Sequence, residues 1–336
     1  MQLVAPGLLD LPPSVIASVD PHAPALSRLL ATAGSPAIED DGLLASACRI
    51  VGIAKQRDWP VAPWLVRATG IDPNRAYWLC AEPATLVVGQ DDVRLGGLVE
   101  DIDAQDAQLL LDALNAHFAA DAVRFFAATP ARWFVRALYA QRIETRPPEA
   151  ALGAPLFAFL PSGPDAARWR RWQNELQMLL FEHPVNRRRL QARLAPVNSV
   201  WLWGGGTAVE ERERPAAAIF ADRGRVRELA RGAAIELAPV PANFDALPQP
   251  GTAAVWLDPI DAGNAGERLA AIDRAWMAPI ERALNARRLS AVELVVGGRE
   301  RAFRFALRRS SLVKRWRARF SPPRFSQLLA LTVDVA

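Results

Sequence analysis

The sequence predicts an α/β protein with a mostly parallel sheet, helices on both faces and an inserted α+β subdomain. Two observations predict it. Apolar β-type runs alternate with helical stretches over most of the 336 residues, the pattern of a sheet wound with crossover helices. One internal block breaks that rhythm and reads β-β-α-β-β. The hydrophobic fraction of 51% is ample for a buried core. Three parts follow: an α/β core over 1–70 and 145–298, an insert over 71–144, and a basic C-terminal hairpin strand and tail over 299–336.

Each element has its own signal. Leu3-Val4-Ala5 before Pro6-Gly7 reads as a buried strand ending in a turn. Residues 24–33 carry apolar side chains at helical spacing, with Gly34 as the stop. Residues 43–53 continue as a second helix, and 59–68 as a short one broken by Pro60 and Pro63. In the insert, 77–88 is rich in β-formers. Asp103 then caps a helix carrying Leu109, Leu110, Leu111 and Leu114, and 123–127 pairs with 132–138 as a hairpin. The stretch 145–163, rich in Pro and Gly, reads as a linker. It leads to a helix over 165–180, a strand over 200–203 and a flexible turn at Gly204-Gly205-Gly206. A short helix over 225–231, a strand over 253–257, a long helix over 266–286 kinked at Pro279, and a hairpin of 292–296 with 301–307 complete the chain.

Composition excludes some classes. The only two cysteines, Cys48 and Cys80, lack a CxxC or paired spacing, so a disulfide scaffold is excluded and a reducing, cytoplasmic setting is expected. The apolar N-terminus, 1–9, has no basic lead and reads as a strand rather than a signal peptide. No run approaches the roughly 20 apolar residues of a membrane helix. Net charge is +4, and nearly all basic residues are arginines; the lysines are Lys55 and Lys314.

Five segments, in order, carry a resemblance: residues 26–31 with Gly34; 92–95 through Leu114-Asn115; Asn174-Glu175 with His183-Pro184-Val185-Asn186 and Arg189; 198–206, which reads NSVWLWGGG; and 261–266, which reads DAGNAG. Together they resemble the archaeal-type 2,3-bisphosphoglycerate-independent phosphoglycerate mutases of the alkaline phosphatase superfamily. Within that group they are similar to a bacterial branch of RpfE-type regulatory proteins. The resemblance covers about three quarters of the chain and implies an alkaline-phosphatase-like fold.

It also implies chemistry that this chain is poorly equipped to perform. Phosphoryl transfer in that superfamily uses two divalent metals and a Ser or Thr nucleophile, held largely by His and Asp. Only three histidines are present, His22, His117 and His183. The aspartate ligand expected at the end of the first strand corresponds to Pro6. The nucleophile corresponds to Leu43, the Asp-Pro-His run to Arg146-Pro147-Pro148, and the closing histidine to Asn264. The expectation is a protein without catalytic residues, metal or cofactor. The alternative is a relocated site built from Ser46, Asp10, Asp258 and Asp261, with Asp258 and Asp261 holding a weak Mg²⁺ or Mn²⁺ through oxygen ligands.

The retained motifs allow two readings each. Gly204, Gly205 and Gly206 form a flexible turn or cradle a phosphate through backbone N–H groups; no Gly-Lys-Ser/Thr follows, so a P-loop is excluded. Arg189 binds an anion or lies on a solvated helix face, and Asn198 binds an anion beside it or braces a loop. Trp201 and Trp203 alternate on a strand and read as packing residues. The tail carries Arg308, Arg309, Lys314, Arg315, Arg317 and Arg319, a surface that attracts polyanions such as nucleic acid or an acidic membrane, or an acidic protein. The preferred reading is a catalytically silent relative of the mutases with a regulatory or binding role, acting on a protein partner or a phosphorylated small molecule. An active mutase or phosphatase and a polyanion-binding protein are the alternatives.

Overall fold

The structure is a computed structural model and describes residues 1–90, 92–209, 216–299, 301–309 and 311. In chain order it begins β1 (Gln2–Pro6), α1 (Pro13–Val19), α2 (Pro24–Thr32), β2 (Ala37–Glu39), α3 (Gly42–Ile50) and α4 (Val61–Ala68). It continues β3 (Tyr77–Val88), β4 (Val93–Leu98), α5 (Ala104–His117), β5 (Val123–Thr129), β6 (Arg132–Ala137), α6 (Pro148–Ala151), α7 (Ala166–Phe181), α8 (Pro184–Gln191) and β7 (Ser199–Gly206). It closes β8 (Ala218–Ala221), α9 (Arg225–Gly232), β9 (Glu236–Ala238), β10 (Ala253–Trp256), α10 (Ala265–Ile272), α11 (Ala278–Asn285), β11 (Ala291–Gly297) and β12 (Ala302–Arg308). The chain divides into two compact units, residues 1–52 with 213–336 and residues 53–212.

The first unit is a seven-stranded sheet in the order β2-β12-β11-β1-β10-β8-β9. β1 lies parallel between β10 and β11, and β8 and β9 continue in parallel. β12 and β2 close one side antiparallel. Both faces are buried, so the strands read as continuous apolar runs rather than alternating ones. Leu3, Val255 and Leu294 share a core cluster with residues of α2, α10 and α11. Val4, Ala254 and Val295 alternate with them and are equally buried, on the face where α3 and α9 contact β11 and β8. The long helix foreseen over 266–286 is α10 and α11 joined by a π-helical turn at Asp273–Met277. Pro279 sits in the first turn of α11. A proline there cannot accept the preceding helical register unchanged, and the extra residue of the π turn absorbs the mismatch.

The second unit is a five-stranded sheet, β4-β3-β6-β5 with β7 on the other side of β3. Its apolar face packs on α5 and α7 through Leu110, Leu114, Trp133, Trp169, Trp172 and Leu202. Asp103 accepts the Asp106 N–H at 2.7 Å and caps α5 as its sequence signalled.

Three expectations need correction. The insert is larger than 71–144, because β7 pairs with β3 from Trp78 to Ala84 and α7 packs on it; a buried apolar run does not announce its pairing partner. Pro60 and Pro63 do not break α4 but begin it, Pro60 as its cap and Pro63 in the first turn, where a missing N–H is harmless. Residues 302–308 are the hairpin strand the sequence signalled, but they belong to the first unit rather than to a separate part over 299–336. They are β12, with Phe303, Phe305 and Leu307 in the core of the first unit. Lys314, Arg315, Arg317 and Arg319 of the tail, and the charged run 210–214, lie outside the described residues.

Candidate functional site

Open parallel sheets bind ligands beyond the carboxyl ends of their strands. In the first unit those ends belong to β1, β10 and β11. The Gly7 N–H donates to the Gly297 carbonyl at 2.8 Å, and the Ile260 N–H to the Pro6 carbonyl at 3.0 Å. These bonds bring the loop after each strand together. Gly7 has φ 86, and a Cβ there would overlap the Ile260 carbonyl, so only glycine fits. The residue before it is Pro6, which offers no ligand.

The space above these ends is filled by the chain itself. α3 starts at Gly42, whose absent Cβ would lie 2.9 Å from the Arg299 carbonyl. The Leu43 side chain lies over Gly297, where any Cβ would overlap it. Asp10 Oδ1 accepts the Arg299 N–H at 2.9 Å and lies 2.7 Å from where a Gly298 Cβ would stand. Asp258 pairs with Arg268 at 3.3 Å. Asp261 accepts the Gly263 and Asn264 N–H groups at 3.0 and 3.2 Å and the Asn264 amide at 2.8 Å, an Asx-type loop closure. Ser46 is buried and donates to Glu39 at 3.3 Å. Glu39, also buried, faces Arg49 and Arg304 as well. Asp10, Asp258 and Asp261 thus share a sheet edge but each is committed locally, and Ser46 faces a carboxylate rather than solvent. Among the described residues no group of three or more His, Cys, Asp or Glu side chains is disposed to hold a metal ion. The alternative site of Asp10, Ser46, Asp258 and Asp261 is not assembled.

The histidines have other work. His117 Nε2 is 3.2 Å from Glu175. His183 caps α8 by accepting the Val185 N–H at 3.3 Å, and burial, with Arg188 nearby, lowers its pKa. The His22 ring lies 3.6 Å from where a Cβ on Gly266 would stand.

In the second unit the glycine run is a strand, not a turn: Gly204, Gly205 and Gly206 end β7 and are buried. A Cβ on Gly205 would overlap the Tyr77 hydroxyl, and one on Gly206 would overlap Pro60. One of their N–H groups, that of Gly205, does meet a carboxylate, but an internal one. Asp58 Oδ2 accepts from Gly205 N at 3.4 Å, Thr145 N at 3.0 Å and the Thr145 hydroxyl, while Oδ1 accepts from Trp59 N at 2.8 Å. Gly204 N donates to the Thr145 hydroxyl oxygen at 2.9 Å. Burial raises the Asp58 pKa to about 6 against these stabilising bonds. Sequence reading missed Asp58, because its main partner lies 87 residues away and no local pattern marks it.

Arg189 and Asn198 are staples, which corrects their reading as anion ligands. Arg189 is 3% exposed and spends its guanidinium on the Ala195 carbonyl (2.8 Å), the Asp101 carbonyl (3.1 Å) and the Asp101 carboxylate (2.6 Å). Asn198 accepts the Leu86 N–H at 2.7 Å and donates to the Leu86 carbonyl at 2.9 Å, acting as one more rung beside β3. Asn115 treats Phe125 in β5 the same way, at 2.8 and 3.0 Å. Asn186 treats Val197 likewise, at 2.8 Å in both directions. Three residues of the family-like motifs therefore pair backbone groups and leave no amide for a ligand.

Comparison with known proteins places these features. No protein-family model matches the chain. A 2,3-bisphosphoglycerate-independent phosphoglycerate mutase of Methanothrix thermoacetophila is 45% identical over 62 residues, 18% of this chain and 16% of that protein. One from Methanosarcina mazei is 29% identical over 119 residues, 33% of this chain and 30% of that protein. A probable enzyme of the same kind from Geobacter sulfurreducens is 42% identical over 62 residues, 18% of this chain and 16% of that protein. Each match thus spans less than a third of its relative's length. Among solved structures, the cofactor-independent phosphoglycerate mutase of Thermoplasma acidophilum aligns with 93% of this chain and 90% of its own at 17% identity and TM-score 0.44. The PH0037 protein of Pyrococcus horikoshii aligns with 91% and 86% at 13% identity and TM-score 0.46. The chain's sequence relatives, matched over local segments, are archaeal-type cofactor-independent phosphoglycerate mutases.

Proposed function

We propose that this chain is a mutase-like protein that has given up phosphoryl transfer and works by binding, in the manner implied by the RpfE-type regulatory branch it resembles. The observation that carries this reading is the filling of the strand ends in the first unit. Leu43 lies over Gly297, and Asp10 is turned onto the Arg299 N–H. A two-metal site needs open coordination positions and ionised ligands free to meet the metal. Here proline stands at the expected aspartate, leucine at the expected nucleophile, and each nearby carboxylate already has a partner. In the second unit the glycine strand encloses Asp58 rather than a phosphate. The only two cysteines, Cys48 and Cys80, are buried, which suits a reducing, cytoplasmic compartment. No helix among the described residues is long and apolar enough to cross a membrane.

Metal analysis of protein purified without chelator, combined with 3-phosphoglycerate mutase and generic phosphatase assays in Mg²⁺, Mn²⁺ and Zn²⁺, tests the proposal. The expected result is less than stoichiometric metal and no turnover above the blank. Stoichiometric tight metal together with turnover would overturn it.

A further inference from the structure

Away from the carboxyl ends of β1, β10 and β11, the opposite end of the first unit's sheet gathers arginines from distant parts of the sequence. Arg287 and Arg288 close the turn that leads from α11 into β11; Arg287 adopts φ 60, and the Arg288 N–H bonds back to the Ala283 carbonyl at 2.9 Å. The first residue of β11, Ala291, stands opposite Arg308, the last residue of β12. Arg309 follows directly. Arg282 lies in the last turn of α11. All five arginines are exposed, and none forms an ion pair with a described carboxylate. The acidic neighbours on these elements are engaged elsewhere: Glu281 with Arg28 at 2.7 Å, and Glu293 with Gln2 and Arg304 at 3.0 and 3.5 Å.

Five exposed guanidinium groups on one end of a small unit, without an ion-pair partner among the described residues, form a strong positive field. The surroundings decide the kind of partner. The large apolar residues exposed in the described chain include none between 280 and 311. An acidic membrane surface is held by apolar anchors as well as charge, and a protein interface has an apolar or aromatic centre. Among the described residues between 280 and 311 neither is present. A phosphate backbone is bound by charge and guanidinium forks alone.

We propose that the Arg282, Arg287, Arg288, Arg308 and Arg309 end of the sheet binds the phosphate backbone of nucleic acid without sequence preference. Binding here is separate from the strand ends discussed above and stands whether or not mutase chemistry survives.

The test uses the full chain and a fluorescein-labelled 20-base-pair DNA of arbitrary sequence, followed by anisotropy from 50 to 200 mM NaCl. Binding should weaken steeply with salt. Arg288→Ala with Arg309→Ala should lower affinity by about tenfold or more and reduce the log–log salt slope by about 1.8, at about 0.9 per lost phosphate contact. Arg287→Asn with Arg308→Ala should do the same, asparagine being tolerant of the left-handed backbone. A control, Arg124→Ala with Arg136→Ala, removes two exposed arginines of the second unit and should leave binding unchanged. The proposal is overturned by absent or salt-insensitive DNA binding, by equal loss in the control, which would mean net charge alone, or by binding only to phosphatidylserine vesicles or poly-glutamate.

Discussion

At the strand ends of the first unit, an exposed carboxylate, Asp10, meets one backbone N–H. At the end of β7 in the second unit a buried carboxylate, Asp58, meets three N–H groups and a hydroxyl. Both are places where glycine lets backbone come close; the sequence reads the first as a candidate metal site and the second as a candidate phosphate cradle. The difference lies in solvent. Asp10 blocks an edge that remains wet, so its bond exchanges with water at little net cost. Asp58 is sealed in, so its charge costs free energy that only the surrounding donors offset. A glycine-rich motif can therefore be occupied by the protein's own side chain in two energetically different ways.

The largest effect should come from the sealed end. Gly205→Ala drives a methyl into the Tyr77 hydroxyl and to within 3.0 Å of Leu79 in a fully buried strand. It should destabilise by about 3 kcal/mol or more, read from urea unfolding. Tyr77→Phe removes the overlapping oxygen and should recover part of that loss in the double variant. Strict additivity of the two changes would break the account of Gly205 as a space requirement.

Next comes pH. The Asp58 pKa is raised from 3.8 to about 6 in the folded chain. Between those values the folded state keeps a proton that the unfolded state has released. Stability therefore falls as pH rises through this window, by up to about 3 kcal/mol at 1.36 kcal/mol per unit. Burial also raises the Asp273 pKa, which acts with the same sign, so the useful quantity is a difference. Urea midpoints of the wild type and Asp58→Asn, measured from pH 4 to 7, should show the wild type losing ground to the variant. Parallel curves would place the Asp58 proton elsewhere.

Much of this architecture was legible and some was not, for identifiable reasons. The β-formers of 77–88 became β3 with those bounds, and Asp103 capped its helix. Both rest on neighbours in sequence. The glycine run misled because Gly reads as a turn unless its partner is known, and here Tyr77 and Pro60 supply the reason for glycine inside a strand. Asn198 braces a loop as one of its two readings had it, whereas neither reading of Arg189 foresaw the staple it makes. Their partners, Asp101 and Leu86, lie 88 and 112 residues away. Leu43 packs over Gly297, a contact between distant segments that the sequence does not announce.

Leu43 also yields the third prediction. It is half-buried, so Leu43→Ala should cost about 1–2 kcal/mol, below the usual loss for a fully buried leucine. Gly297→Ala, which overlaps Leu43 in the wild type, should be much better tolerated in the Leu43→Ala background. Equal cost in both backgrounds would mean that Leu43 does not fill the strand ends.

The smallest effect belongs to Asp10, and it sharpens the comparison most directly. Asp10→Asn keeps an oxygen to accept the Arg299 N–H and gives up only a charge in contact with water, so stability should change by less than about 0.5 kcal/mol. The same substitution at Asp58 alters the pH dependence of the whole fold. If Asp10 were instead a relocated metal ligand, Asp10→Asn would strip bound metal and any phosphatase activity while leaving the urea midpoint nearly unchanged. Metal content and unfolding measured on one sample therefore separate a carboxylate that blocks an edge from one that serves a metal. Unchanged metal content with an unchanged midpoint is the outcome a blocking residue requires.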